Sequence, residues 1–327
     1  MSETAPRTTA DRALRPRPDR LPPLPGAEGP VPPVQRFRGR IGSDARSGYY
    51  PALHRYHLYL SLACPLSLRT SVTLALAGLE GQVSVTVLDP VAEDLDAPAA
   101  PGGRARDGAA QGLRDLRRAY EASRHRYDGP VTVPALCDRW SGRLVSNHAP
   151  DIMRDLATRL PDGPAADATG LYPPHADADL EELALLLDEG IGEAAQRAGR
   201  APAGRRDGEA LRTVLSSLAA LEHRLTDRPF VAGPHLTAAD VHLWATLVQL
   251  DLVHRLHLDE DAVRRIADHP RLWAHARRLH LLPAFHRTLR PDHIARRHRR
   301  SCRGPESSGA RLPLADWTIP PQADPGA

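Results

Sequence analysis

Tyr56-His-Leu-Tyr-Leu-Ser-Leu-Ala-Cys-Pro-Leu-Ser-Leu-Arg69 is the stretch from which the rest of the chain can be read. Its first half alternates. His57, Tyr59 and Ser61 interleave with Leu58, Leu60 and Leu62, and such aromatic and apolar residues suit a pleated strand. Past Ala63-Cys64 the spacing predicts a helix to about Leu79. Pro65 falls in the first helical turn, where its missing N–H leaves nothing unpaired. Cys64 is thereby placed at a helix N-terminus, where free backbone N–H groups favour a thiolate. A lone cysteine in apolar surroundings is by default a small buried hydrophobe. The order strand, Cys-Pro, helix is what argues for a reactive sulfur.

Strand, Cys-Pro, helix is how a thioredoxin-like domain presents its sulfur. Ser67 stands where a dithiol oxidoreductase would carry its second cysteine, so the chemistry open to this site is monothiol. The segment from Arg55 to Pro65, with Arg69-Thr70 and Gly78-Leu-Glu80, resembles the glutathionyl-hydroquinone reductases, the xi class of the glutathione transferase superfamily. Further stretches fit in order: Gly129 to Asp138 (GPVTVPALCD), Val145-Ser-Asn147, Phe230 to Trp244 (FVAGPHLTAADVHLW), Arg265 to Trp273 and Asp292-His-Ile294. The resemblance spans roughly residues 36–302. It implies a thioredoxin-like α/β domain followed by an all-helical glutathione-transferase C-terminal domain.

Composition sets the outer limits. The chain has 327 residues, enough for two domains and a sizeable core. Apolar residues make up 41% and charged residues 25%, the proportions of a globular protein. Net charge is +3, which carries no global nucleic-acid signature, and every cationic side chain is arginine. Three widely spaced cysteines argue against a disulfide framework and for a reducing compartment. With no apolar run of membrane length and no signal-peptide pattern, the expected location is the cytoplasm.

Along the chain, residues 1–35 are polar and proline-rich and are expected to stay unfolded or in polyproline II. The thioredoxin-like domain is expected over 36–162, a linker over 163–176, the helical domain over 177–302 and a tail over 303–327. Within the first domain, Val83 to Leu88 reads as a strand, 90–112 as a loop insertion and Leu113 to Arg124 as a helix. Val131 to Cys137 reads as a strand interrupted by Pro134, which cannot donate to a ladder. Arg143 to Ser146 reads as a last strand, and Pro150 to Leu160 as a helix. Farther on, Leu180, Leu183, Leu186, Leu187 and Ile191 share a helical face. Thr237-Ala-Ala-Asp240 reads as a capping box. Although the chain holds 16 histidines, no HExxH and no cysteine pair has ligand spacing, so no metal is expected. The basic run Arg296 to Arg300 reads as a solvated helix face.

The resemblance also implies roles. Cys64 maps onto the family's nucleophile, which takes the thiol moiety from a quinone-derived thioether as a mixed disulfide that a second thiol then resolves. Val133 and Pro134 map onto the cis-proline turn that pairs with the backbone of a peptide-like thiol. Leu66, His148 and Ala149 occupy positions that touch glutathione in the family, where Trp, Glu and Ser stand. His298 replaces a late tyrosine near the substrate, and an expected arginine is Arg117 or Arg118. The expected partners are a small-molecule thiol and an electrophilic or quinone substrate, with a homodimer as an admissible assembly. The cosubstrate is glutathione or another low-molecular-weight thiol such as mycothiol, which lacks the γ-glutamyl group that the missing glutamate would hold. A fold retained for binding small molecules or proteins, without turnover, is the alternative.

Overall fold

The computed structural model describes residues 36–91, 104–160, 170–200, 208–302 and 304–318. The expected proline-rich tail, residues 163–169 of the expected linker and residues 319–327 of the expected C-terminal tail lie outside these residues. β1 (Tyr56–Leu60) is the hub of a four-stranded sheet in the order β2-β1-β3-β4. It pairs in parallel with β2 (Ser84–Val87) and antiparallel with β3 (Ala135–Asp138), which pairs antiparallel with β4 (Arg143–Ser146). The parallel pair needs a crossover, and α1 (Pro65–Leu76) supplies it.

Alternation along β1 sorts the layers. Tyr56, Leu58 and Leu60 face a core shared with Leu74 of α1, Leu79 just beyond it, and Ile152 and Leu156 of α3 (Ala149–Thr158). The opposite face carries Tyr59, Ala135 and Cys137 against Leu113, Leu116 and Tyr120 of α2 (Arg104–Ser123). The result is a thioredoxin-like sandwich with α1 and α3 on one side and α2 on the other.

α1 is apolar on more than one side. Leu68 and Val72, a turn apart, leave the sheet core and join the helical part of the molecule, with Met153 and Ala157 of α3. Both are fully buried, and each such side chain contributes about 1.5–3 kcal/mol. The helix stops short of Leu79. Gly78 takes φ +67°, and the Leu79 and Gly78 amides bond back to the Leu74 and Ala75 carbonyls, closing the last turn.

The helical part comprises α4 (Asp177–Leu185), a π-helical stretch over Leu186–Glu193, α5 (Ala194–Arg200), α6 (Gly208–Arg224) and α7 (Ala238–Leu252). A 3-10 turn (His254–His257) leads to α8 (Glu260–Ala267), α9 (Pro270–His280), α10 (Pro283–His286) and α11 (Pro291–Ser301). α7 is its axis: Val241, Leu243, Trp244, Leu247 and Leu250 are all fully buried. The Thr237–Asp240 capping box starts it as the sequence predicts. Beyond α11, residues 304–318 return across the helical part. Asp251 accepts from the amides of Leu314 and Ala315 and from Trp317 Nε1, while Arg255 donates to the carbonyls of Gly309 and Ala310. A Cβ at position 309 would lie 2.3 Å from the Leu258 carbonyl oxygen, so this crossing requires glycine.

Two boundaries differ from the sequence reading. α2 begins at Arg104, inside the stretch read as an insertion. Gly112 serves close packing: a Cβ there would lie 2.8 Å from Thr86 Cγ2 of β2. β3 begins at Ala135, not Val131, because pairing cannot start at a proline that lacks an N–H.

Candidate active site

Cys64 is the N-cap residue of α1, with Pro65 at the first helical position. Its side chain makes no capping hydrogen bond and is 4% exposed. Ser67, one turn into α1, points back, and its Oγ accepts the Ser61 amide at 3.2 Å. The residue in place of a second thiol therefore locks the strand-to-helix turn. Opposite the cysteine lies the Val133–Pro134 bond, which is cis. Cys64 Sγ is 4.0 Å from the Val133 carbonyl oxygen.

The chain before β3 is held by side chains, since it has no ladder. Tyr120 OH donates to the Thr132 carbonyl at 3.0 Å and receives the Thr132 amide at 3.2 Å. Asn147 reaches the same cluster through Nδ2, and its Oδ1 accepts the Phe37 amide at 2.9 Å. One buried network thus fixes residues 131–133, the start of α3 and the lead-in segment together.

His148 is the N-cap of α3, and its Nδ1 lies 3.0 Å from Asp151 Oδ2. Ala149 is buried at the first helical position. Asp151 is shared: Arg38 Nη2 donates to it at 3.0 Å, and Arg40 stands 3.5 Å away. Burial pushes its carboxyl upward, but Arg38, His148 and Arg40 together hold it below the usual range. This carboxylate is committed to cations of the protein itself.

Comparisons with known proteins bear on the family and the fold. A family profile described as the glutathione S-transferase C-terminal domain matches residues 176–278. The Escherichia coli glutathionyl-hydroquinone reductase YqjG is 34% identical over 269 residues, covering 80% of each chain. Its glutathione-bound structure aligns with a TM-score of 0.66, covering 81% of this chain and 88% of that one. PcpF of Sphingobium chlorophenolicum, also named a glutathionyl-hydroquinone reductase, is 31% identical and covers 72% of this chain and 74% of its own. The xi glutathione transferase of Phanerochaete chrysosporium gives a TM-score of 0.65 at 30% identity, over 81% of this chain and 91% of that one. The chain belongs to the glutathionyl-hydroquinone reductase family. It therefore carries the xi-class glutathione-transferase fold.

Against the glutathionyl-hydroquinone reductase pattern, the other sequence-predicted residues separate. Leu66 is half-buried on the first turn of α1. Arg117 donates to the Gly129 carbonyl at 3.1 Å, whereas Arg118 is exposed beside Asp115. His298 is not joined to the Cys64 group by any hydrogen bond or ring contact among the described residues; its ring lies 5.0 Å from that of His257. Cys137 is buried in β3. Burial, then Asp138, pushes its thiol up to about 12, which leaves it inert.

A polar cluster that the sequence reading missed lies between α1, the π-helical stretch and α7. Asp188 Oδ1 accepts from His242 Nε2 at 2.7 Å and lies 3.7 Å from Arg69 Nη1. Burial and Arg69 push His242 down, so at neutral pH it is the neutral imidazole that donates to Asp188. Burial pushes Asp188 up, yet His242 and Arg69 more than offset this and hold it at about 2. A charge set among leucines at core spacing was the available signal: Asp188 follows Leu187, and His242 interrupts Val241-Leu243.

An acid limb follows from this cluster. A carboxylate whose folded pKa lies below its unfolded value stabilises the fold above the unfolded value and loses that contribution as pH falls through the folded one. The Asp188 contribution is therefore expected to vanish between about pH 4 and pH 2. Urea midpoints measured across that window should show Asp188→Asn less stable at neutral pH and with a shallower acid slope. An unchanged slope would refute the coupling.

Proposed function

We propose that the protein is a thiol-dependent reductase or transferase that uses the Cys64 thiolate on quinone-derived or other electrophilic thioethers. The observation that carries this reading is Cys64 at the N-cap of α1 with its sulfur turned to the Val133 carbonyl beside a cis-proline. Cys64 stands at the positive end of the α1 dipole, and the turn before β3 offers backbone groups to a peptide-like thiol. Relatives named for this reaction, one of them solved with glutathione, support the same reading.

The proposed cycle has two displacements. The Cys64 thiolate attacks the sulfur of a glutathionyl-hydroquinone. The sulfur–carbon bond breaks, its electron pair stays with the ring carbon, and a proton from solvent completes the free hydroquinone. Cys64 is left as a mixed disulfide. A second thiolate then attacks the substrate-derived sulfur, releasing the Cys64 thiolate and a low-molecular-weight disulfide. The hydroquinone carbon is reduced, and the thioether sulfur and one thiol sulfur are oxidised to the disulfide, so electrons balance without another cofactor. Intact-mass spectrometry after incubation with a glutathionylated hydroquinone should show one added glutathionyl group on Cys64, removable by free thiol. No adduct and no product would favour the binding-module alternative.

At the cosubstrate site this chain's residues differ from those the family resemblance implies. The start of α3 still supplies helix N–H groups for a carboxylate. His148 brings no fixed negative charge for an ammonium, Ala149 brings no hydroxyl, and Asp151 is already occupied by Arg38 and Arg40. A charged hydrogen bond contributes roughly 1.5–3 kcal/mol, so losing one costs on the order of 10- to 100-fold in affinity. His148→Glu/Ala149→Ser is accordingly expected to tighten glutathione binding by at least ~10-fold in calorimetry. Tight wild-type binding that the double substitution leaves unchanged would show that glutathione is held elsewhere.

A further inference from the structure

Where α11 ends, three side chains from two elements converge, away from the Cys64 group. Cys302 is the C-cap of α11, and its Sγ lies 3.3 Å from His257 Nε2 on the 3-10 turn that follows α7. His298 stands one turn earlier on α11. One donor atom from each of His257, His298 and Cys302 lies within 4.8 Å of the other two. His298 is 9% exposed, and its Nδ1 is buried without a hydrogen-bond partner among the described residues. Leaving such a group unpaired costs about 1–3 kcal/mol, so the cluster lacks an occupant that would accept its lone pair or its proton.

The environment selects what that occupant is. His257 Nδ1 lies 3.1 Å from the Pro305 carbonyl oxygen. A carbonyl only accepts, so Nδ1 carries the proton, and the Nε2 lone pair points toward Cys302. This is how a metal-binding histidine is oriented by its outer partner. Tetrahedral zinc, with bonds of about 2.0–2.3 Å, holds its donors roughly 3.3–3.8 Å apart, and the His257–Cys302 separation already falls at that spacing. The partial negative charge at the carbonyl end of α11 favours a cation there.

We propose that His257, His298 and Cys302 bind a Zn2+ ion, with a fourth position open to water. Imidazole nitrogen with thiolate sulfur is a donor set that suits zinc and not the hard cations. On binding, Cys302 gives its thiol proton to solvent, its sulfur lone pair bonds the metal, and no oxidation state changes. The ion would clasp the end of α11 to the turn at His254–His257, from which residues 304–318 run back over the helical part. It assigns His298 to a metal instead of to substrate and is independent of the Cys64 mechanism. Sequence spacing alone missed it because His257 lies far from the other two in the chain.

Cobalt is the probe. The purified full-length Cys64→Ser chain, which removes the competing nucleophile, should bind one equivalent of Co2+. The complex should show a near-ultraviolet thiolate-to-cobalt band and the visible bands of a four-coordinate ion, both abolished by Zn2+. Adding Cys302→Ser should remove the thiolate band, and adding His257→Gln should weaken binding at least ~10-fold. In the wild-type chain, which needs no substitution to fold, Zn2+ should protect Cys302 from alkylation by iodoacetamide, read by peptide mass spectrometry. The proposal is overturned by absence of the thiolate band with Cys302 reduced, by its survival in Cys302→Ser, or by equal alkylation with and without Zn2+.

Discussion

Cys64→Ser is expected to lower thioether reduction by at least about 10³-fold, to the uncatalysed background. Serine keeps the shape of the α1 N-cap but offers an alcohol, which neither ionises near neutral pH nor forms a disulfide bond. Cys137 cannot stand in: it lies in the sheet with its thiol pushed up to about 12 by burial and by Asp138. Cys137→Ala, which removes that sulfur from a β3 position facing α2, should leave turnover within a few fold of wild type. Steady-state rates with a glutathionylated hydroquinone check both. Wild-type rates in Cys64→Ser would end the proposed mechanism.

The second large effect concerns stability. Asp240→Ala should cost about 3–5 kcal/mol, read as a shift in the urea midpoint without a change in slope. Asp240 is completely buried and serves four donors. Its Oδ2 takes the Thr237 amide and hydroxyl at 2.9 and 3.0 Å, and its Oδ1 takes the Val231 amide and His275 Nε2, each at 3.0 Å. Alanine would leave all four without that acceptor and remove the Asp240 half of the capping box that starts α7, the axis of the helical part. For contrast, Glu260→Ala breaks an exposed pair with Arg264 and should change stability by no more than about 1 kcal/mol. A loss below that level at Asp240 would show that the network relaxes onto other partners.

What the sequence disclosed, and what it withheld, follows the range of the interactions. Alternation through Leu58 and Leu60 and the Cys64-Pro65 junction are local signals, and strand, turn and helix appear where they point. The Thr237–Asp240 cap is equally local. β3 was drawn too long because β-propensity at Val131 and Val133 says nothing about where a ladder partner lies. α2 was drawn too short because Gly108 and Gly112 look like loop residues until β2 is seen packed against Gly112. Asp188 meets Arg69 and His242 only after three separated elements assemble, and His257 meets Cys302 only through the turn after α7. Chemistry carried within one turn of chain was legible; chemistry assembled across elements was not.

α1 has a consequence for recombination between relatives. The helix that presents Cys64 gives Leu74 to the sheet core and Leu68 and Val72 to the helical core, which α3 also supplies with Met153 and Ala157. The C-terminal half is thus not a portable cassette. Grafted onto the N-terminal half of another family member, it would meet foreign side chains at those four positions. The misfit would be felt along the helix that sets the nucleophile. A chimera between relatives would need α1 and the buried flank of α3 to travel with the C-terminal half, even though they lie in the N-terminal half of the chain.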